Sequence, residues 1–110
     1  MKHTDTRIYR RSIELAELTA DLIEHLPRGY AALADQLRRA AMSVPLNFAE
    51  GCGKQHPKDR RRYFFIARGS ANEVAAAIDV ARAFRVIDDE THRRGTDIAD
   101  HIAAMLGRFR

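Results

Sequence analysis

The sequence has a single cysteine, three prolines and no tryptophan. Cys52 alone cannot form an internal disulfide, and no CxxC spacing offers a zinc or dithiol site. A reducing compartment, the cytoplasm, is expected. No apolar run approaches the roughly 18–20 residues of a membrane span. The charged segment Met1–Arg11 lacks the apolar stretch of a signal peptide, so no leader is expected. Strand-like alternation, internal repeats and low-complexity tracts are absent. Also missing is the Glu-x-x-His pairing of di-iron helix bundles: none of Glu14, Glu17, Glu24, Glu50, Glu73 or Glu90 has a histidine three residues on. Asp89 with His92 and Asp97 with His101 have ligand spacing, but each pair lies on one polar helix face, where caps and surface pairs are expected. With no nucleophile–base pair evident, the expectation is no enzyme, no metal and no cofactor.

What is present is a chain of 110 residues, 45% of them apolar, which fits one domain spanning 1–110 and argues against disorder. Abundant alanine suggests small core side chains and close helix approach. The net charge is +4, carried by 16 arginines against 3 lysines. That excess suits a polyanion partner, or simply reflects the coding sequence's composition.

Four amphipathic stretches follow one another. The first, about Thr6 to Leu26, places Ile8, Leu15, Leu18, Leu22 and Leu26 on one face and Arg10, Glu14, Glu17, Asp21 and Glu24 on the other. Pro27 and Gly29 end it. The second, about Tyr30 to Gly51, aligns Leu33, Leu37, Ala40, Val44, Phe48 and Gly51, with a kink expected at Pro45. The third runs from Pro57 to about Arg85; Pro57 suits a first helical position and Asp59 the positive end of the helix dipole. It is apolar or small nearly all round, so burial on both sides is expected. The fourth starts at Asp88 or Asp89 as cap and carries Ile98, Ile102, Met105 and Phe109 on one stripe. Short connections between four helices imply an all-α, antiparallel up-down-up-down four-helix bundle.

Two segments are more specific. Gln36–Ala41 followed by Ser43-Val44-Pro45-Leu46-Asn47-Phe48-Ala49-Glu50-Gly51, together with Phe64-Phe65-Ile66-Ala67-Arg68-Gly69-Ser70-Ala71-Asn72-Glu73, resemble the motifs of the four-helix-bundle proteins encoded in 23S rRNA intervening sequences. Pro27 also sits where that family has a proline after its first helix. The resemblance covers nearly the whole chain. It implies a bacterial cytosolic bundle that assembles into a homo-oligomeric ring, commonly a pentamer, with no established enzymatic role. A related branch, the accessory protein of diversity-generating retroelements, binds a reverse transcriptase and nucleic acid.

Three groups of residues become candidates. Asn47, Glu50, Arg68, Ser70 and Glu73 are the polar members of the motifs; they read as a buried interhelical network that fixes packing, the functional alternative being a ligand pocket. Met42, Leu46 and Ala49 lie opposite the second helix's core stripe, and Phe65, Gly69 and Ala76 lie on the third helix's outer side; together they suggest a subunit interface. The third group appears only when the chain is folded up and down. Lys2, Arg7, Arg10, Arg11, Lys54, Lys58, Arg60, Arg61, Arg62, Arg108 and Arg110 then share one end with few acids, chiefly Asp5 and Asp59, and the acids Glu17, Asp21, Glu24, Asp35, Asp79, Asp88, Asp89 and Glu90 share the other. Such a basic end can hold phosphate backbones with little sequence preference, or remain a solvated charged end. Tyr63 and Phe64 lie nearby at core spacing. Lone His25 and His56 read as exposed loop ends, and Cys52, between two glycines, as a thiol in a break. The expected function is a homo-oligomeric scaffold or accessory protein for RNA or DNA, or for a protein such as a reverse transcriptase that handles it. The alternative is a protein-interaction bundle whose basic end meets an acidic protein.

Overall fold

The computed structural model describes residues 2–109, and four helices make up most of them. A 3₁₀ turn, His3–Asp5, leads into α1, Arg7–Glu24. Thr6 caps α1: its hydroxyl accepts the Tyr9 amide at 3.1 Å and donates to the His3 carbonyl at 2.8 Å. The turn into α2, Ala31–Cys52, passes through Gly29 at φ +95°, a conformation that side chains with a β-carbon rarely adopt. α2 continues through Pro45 without interruption, and the proline is buried. α3, Pro57–Ala83, has Pro57 in its first turn, and His56 caps it by accepting the Lys58 amide on Nδ1 at 3.2 Å. Its end falls two residues before the expected Arg85. Arg85 takes φ +62°, and the amides of Arg85 and Val86 bond back to the carbonyls of Arg82 and Ala81 at 3.0 and 3.1 Å. That is a Schellman stop with arginine where glycine is usual. α4, Asp89–Arg108, is capped by Asp88, whose carboxylate accepts the Thr91 amide at 2.8 Å. The Thr91 hydrogen bonds hold the Asp88 carboxyl below its ordinary pKa.

Each helix packs on two neighbours, α1 on α2 and α4, α3 on α2 and α4. The diagonal pairs do not come within 8 Å between Cα atoms among the described residues. This is a square up-down bundle measuring 44 × 22 × 19 Å. Its centre is formed by Leu15, Leu37, Val44, Phe48, Val74, Ile78 and Ile102, all sealed from solvent. Small residues bring the backbones together, Ala67, Ala71 and Ala81 on α3 being fully buried. Glycines do the same at two places. A β-carbon on Gly51 would stand 2.6 Å from the Phe64 ring, and one on Gly95 would stand 2.6 Å from Ile78 Cδ1. At one end Phe48, Phe64 and Phe109 form an aromatic plug, with ring centroids 5.0–5.4 Å apart. Aromatic pairs in these geometries add about 0.5–1.5 kcal/mol each beyond the area they bury.

One expectation is corrected here. α3 is buried on one side only, because a square bundle gives each helix two neighbours and leaves its outward face bare. Phe65 is 75% exposed, Val80 44%, and nothing lies within 4 Å of a β-carbon placed on Gly69. Among the described residues no helix is long and apolar enough to cross a membrane.

Candidate nucleic-acid interface

The antiparallel course brings the start of α1, the α2–α3 turn and the end of α4 to the same end. The contacts fix this. Thr6, Arg7, Ile8, Met105, Arg108 and Phe109 line one shallow cavity. Arg11 on α1 hydrogen-bonds His101 on α4 at 3.2 Å. The Lys54 ammonium, just after α2, lies 5.5 Å from the Tyr63 ring centroid on α3, and the Arg62 guanidinium lies 4.9 Å from it. Lys2, Arg7, Arg10, Lys58, Arg61, Arg62 and Arg108 are exposed, while Arg11, Lys54 and Arg60 are half-buried. Arg110 lies outside the described residues.

Two further acids reach this end in the structure. Glu14 pairs with Arg11 at 2.8 Å and Glu50 with Lys54 at 3.3 Å. Basic side chains still outnumber them. α1 and α3 start at this end while α2 and α4 finish at it, so the positive and negative ends of the helix dipoles offset one another and the excess rests on the side chains. α1 has no acid in its first turn, and α3 has Asp59. His101 sits among the basic side chains. Burial, then the charges of Arg11, Arg7 and Arg108, hold its pKa below the ordinary histidine value. Tyr63 is half-buried beneath Lys54 and Arg62, whereas Phe64 is buried in the plug. The signal for Tyr63 was its position, one residue after the Arg60–Arg62 run.

The five polar motif residues are not one cluster. Asn47 donates through Nδ2 to the Ser43 carbonyl at 3.0 Å and to the Ser43 hydroxyl at 2.8 Å, and that hydroxyl meets the Ser70 hydroxyl at 2.7 Å across the α2–α3 seam. Glu73 bonds Gln36 farther along the same seam. Glu50 is exposed and pairs with Lys54, and Arg68 is exposed with its guanidinium against Gly107 of α4. Each residue turns a helix by 100°, so neighbours in sequence face different partners. Glu50 stands two residues past buried Phe48 and points out, and Arg68, one past buried Ala67, swings to the α4 side.

The residues proposed for an interface remain largely open to solvent. Met42 is 53% exposed, Leu46 62% and Phe65 75%; Gly69 and Ala76 are exposed and Ala49 half-buried. Met42 also borders a groove of about 350 Å³ between α1 and α2, shared with Ala16, Ala20, Ile23 and Ala41. Cys52 is not in a break: it is the last residue of α2 and buried. Burial pushes its thiol pKa up, only partly countered by Arg60. A groove of about 550 Å³ runs from Glu14, midway along α1, past Glu17 and Asp21 toward the opposite end, where Asp88, Arg94 and His25 border it. His92 bonds Asp79 at 2.8 Å, and Arg82 pairs with Asp89 at 2.6 Å. No group of metal-binding side chains occurs among the described residues.

A family model described as 23S rRNA-intervening sequence protein matches residues 4–108. Among solved structures, a protein with unknown function from the S23 ribosomal protein family of Bacteroides thetaiotaomicron VPI-5482 is similar, with a TM-score of 0.84. It is 21% identical, over 90% of this chain and 94% of that one, a likeness of fold. No curated protein matches the chain.

Proposed function

The chain belongs to the 23S rRNA-intervening sequence protein family, and from that premise we propose that it is a non-enzymatic, homo-oligomeric binding protein whose basic end holds nucleic-acid phosphates. The observation that carries the reading is the gathering of basic side chains from the start of α1, the α2–α3 turn with the start of α3, and the end of α4. No local sequence run creates that end; the topology does. Phosphate contacts of this kind position a nucleic acid without reading its bases. The unpartnered apolar faces of α2 and α3 support an assembly of several copies, and the family resemblance suggests a pentameric ring. Parallel copies in a ring would place their basic ends on one face. The non-enzymatic reading is supported by what the hydroxyls do: Ser12, Thr19, Ser43 and Ser70 are engaged in structural hydrogen bonds, and the Cys52 thiol is suppressed by burial. A lone buried thiol suits the reducing cytoplasm.

The test is fluorescence anisotropy with labelled single-stranded and duplex RNA and DNA. If about four phosphates are contacted, affinity falls roughly a hundredfold between about 50 and about 200 mM salt. Arg60 is half-buried, so the diagnostic variant uses its exposed neighbours: Lys58→Glu, Arg61→Glu and Arg62→Glu together should weaken binding across all sequences and leave the helical circular dichroism intact. Arg93→Glu with Arg94→Glu, at the other end, should matter little. The reverse pattern would mean the wrong face has been chosen. If the wild type binds no nucleic acid at low salt, the reading fails, and an acidic protein becomes the partner to seek.

A further inference from the structure

The hydrogen bond between Arg11 and His101 ties α1 to α4 inside the basic end. Arg11 Nε–H donates to His101 Nδ1 at 3.2 Å. An imidazole nitrogen accepts only while it carries no proton, so this bond requires Nδ1 unprotonated. The surroundings favour that state. From α1, Arg11 meets the ring and the charge of Arg7 also acts on it, and Arg11 is held on its other edge by Glu14 at 2.8 Å. On α4 itself, Arg108 lies two turns ahead and Asp97 one turn back. From α3, Arg68 meets α4 at Gly107, on another face of the helix.

We propose that the Arg11–His101 bond is a proton-controlled catch on the basic end: protonating His101 opens it, turns the Arg11 Nε edge toward a bound polyanion and adds a positive charge beside it. The inference rests on the reading of this end as a phosphate-binding face and gives that face a regulation. Linkage makes it reciprocal. A polyanion that screens Arg7, Arg11 and Arg108 raises the pKa of His101, and affinity therefore rises as pH falls through the histidine range. A rise of one pKa unit on binding corresponds to about a tenfold gain in affinity at low pH.

Two measurements test this. The first is an NMR titration of the His101 ring in the free protein, assigned by loss of its signal in His101→Gln. It should titrate below the ordinary histidine value and move up in Arg11→Gln. A normal titration indifferent to Arg11→Gln overturns the catch, whatever the protein binds. The second is anisotropy with a 20-nucleotide oligothymidylate from pH 5 to 8 at constant ionic strength. The wild type should gain several-fold more affinity toward low pH than His101→Gln, which keeps an acceptor but cannot titrate. Equal pH dependence in both proteins overturns the regulation and leaves the interface reading standing. No binding of oligothymidylate at any pH overturns the interface reading and the regulatory role with it, while the titration still decides whether the catch exists.

Discussion

Ser70 shows how far a single side chain's role follows from its place on a helix. It is nearly sealed from solvent and meets Ser43 across the α2–α3 seam, and Ser43 in turn accepts from Asn47. Removing one member of this chain strands a partly buried hydroxyl, at a cost of about 1–3 kcal/mol. Glu50 belongs to the same motif but sits in solvent beside Lys54, and an exposed pair is worth only about 0–1 kcal/mol. Thermal unfolding should therefore separate them: Ser70→Ala and Asn47→Ala melt earlier than wild type, and Glu50→Ala melts within error of it. A Glu50→Ala loss as large as that of Ser70→Ala would restore Glu50 to a buried network. The motif made these residues stand out in the sequence, but it could not assign their partners. Ser43 lay within the quoted run and is the hinge of the real chain. Arg68 left the group because a rotation of 100° per residue carries it to α4. Residues adjacent in the motif are not adjacent in space, and only the packed bundle distinguishes the two.

At the scale of elements the periodicity was a good guide, because apolar spacing and caps are local. Pro57 and Asp88 mark the starts of α3 and α4 as their chemistry requires. The end of α3 was not legible, since Arg85 stops it in a backbone conformation normally left to glycine. The helical glycines carry a further distinction that sequence hides. In an exposed helix, alanine in place of glycine gains about 1 kcal/mol of helix propensity. At Gly51 and Gly95 that gain is outweighed, because the added carbon would meet the Phe64 ring or Ile78 at 2.6 Å. Overpacking of this sort costs about 1–3 kcal/mol. Gly69 faces open space. Denaturant titrations should show Gly51→Ala and Gly95→Ala less stable than wild type and Gly69→Ala at least as stable. A stabilised Gly95→Ala would mean that α3 and α4 are less tightly apposed than described.

For the whole molecule, the up-down topology was legible because short connections leave little else possible, and the grouping of charge followed from it. The two-sided burial expected of α3 is not met within one chain, and under the proposed assembly its bare outer face is covered by something outside the chain. If that is a second copy, sedimentation at micromolar concentration shows a multimer, and Met42→Glu with Leu46→Glu, or Phe65→Glu alone, shifts it toward monomer while helical content persists. A wild type that sediments as a clean monomer ends the oligomer reading. The length of the bundle bears on how its charge acts. The ends lie up to 44 Å apart, and ions in physiological salt damp an electric field over about 8 Å. A ligand at the arginine-rich end is thus insulated from the carboxylates at the other by roughly five such lengths, and the net charge of +4 is an average that no bound molecule experiences. Only in very dilute salt, near 0.01 M, does the damping length grow to about 30 Å. There the far carboxylates begin to oppose the arginines, and the molecule turns from two independent surfaces into one long dipole.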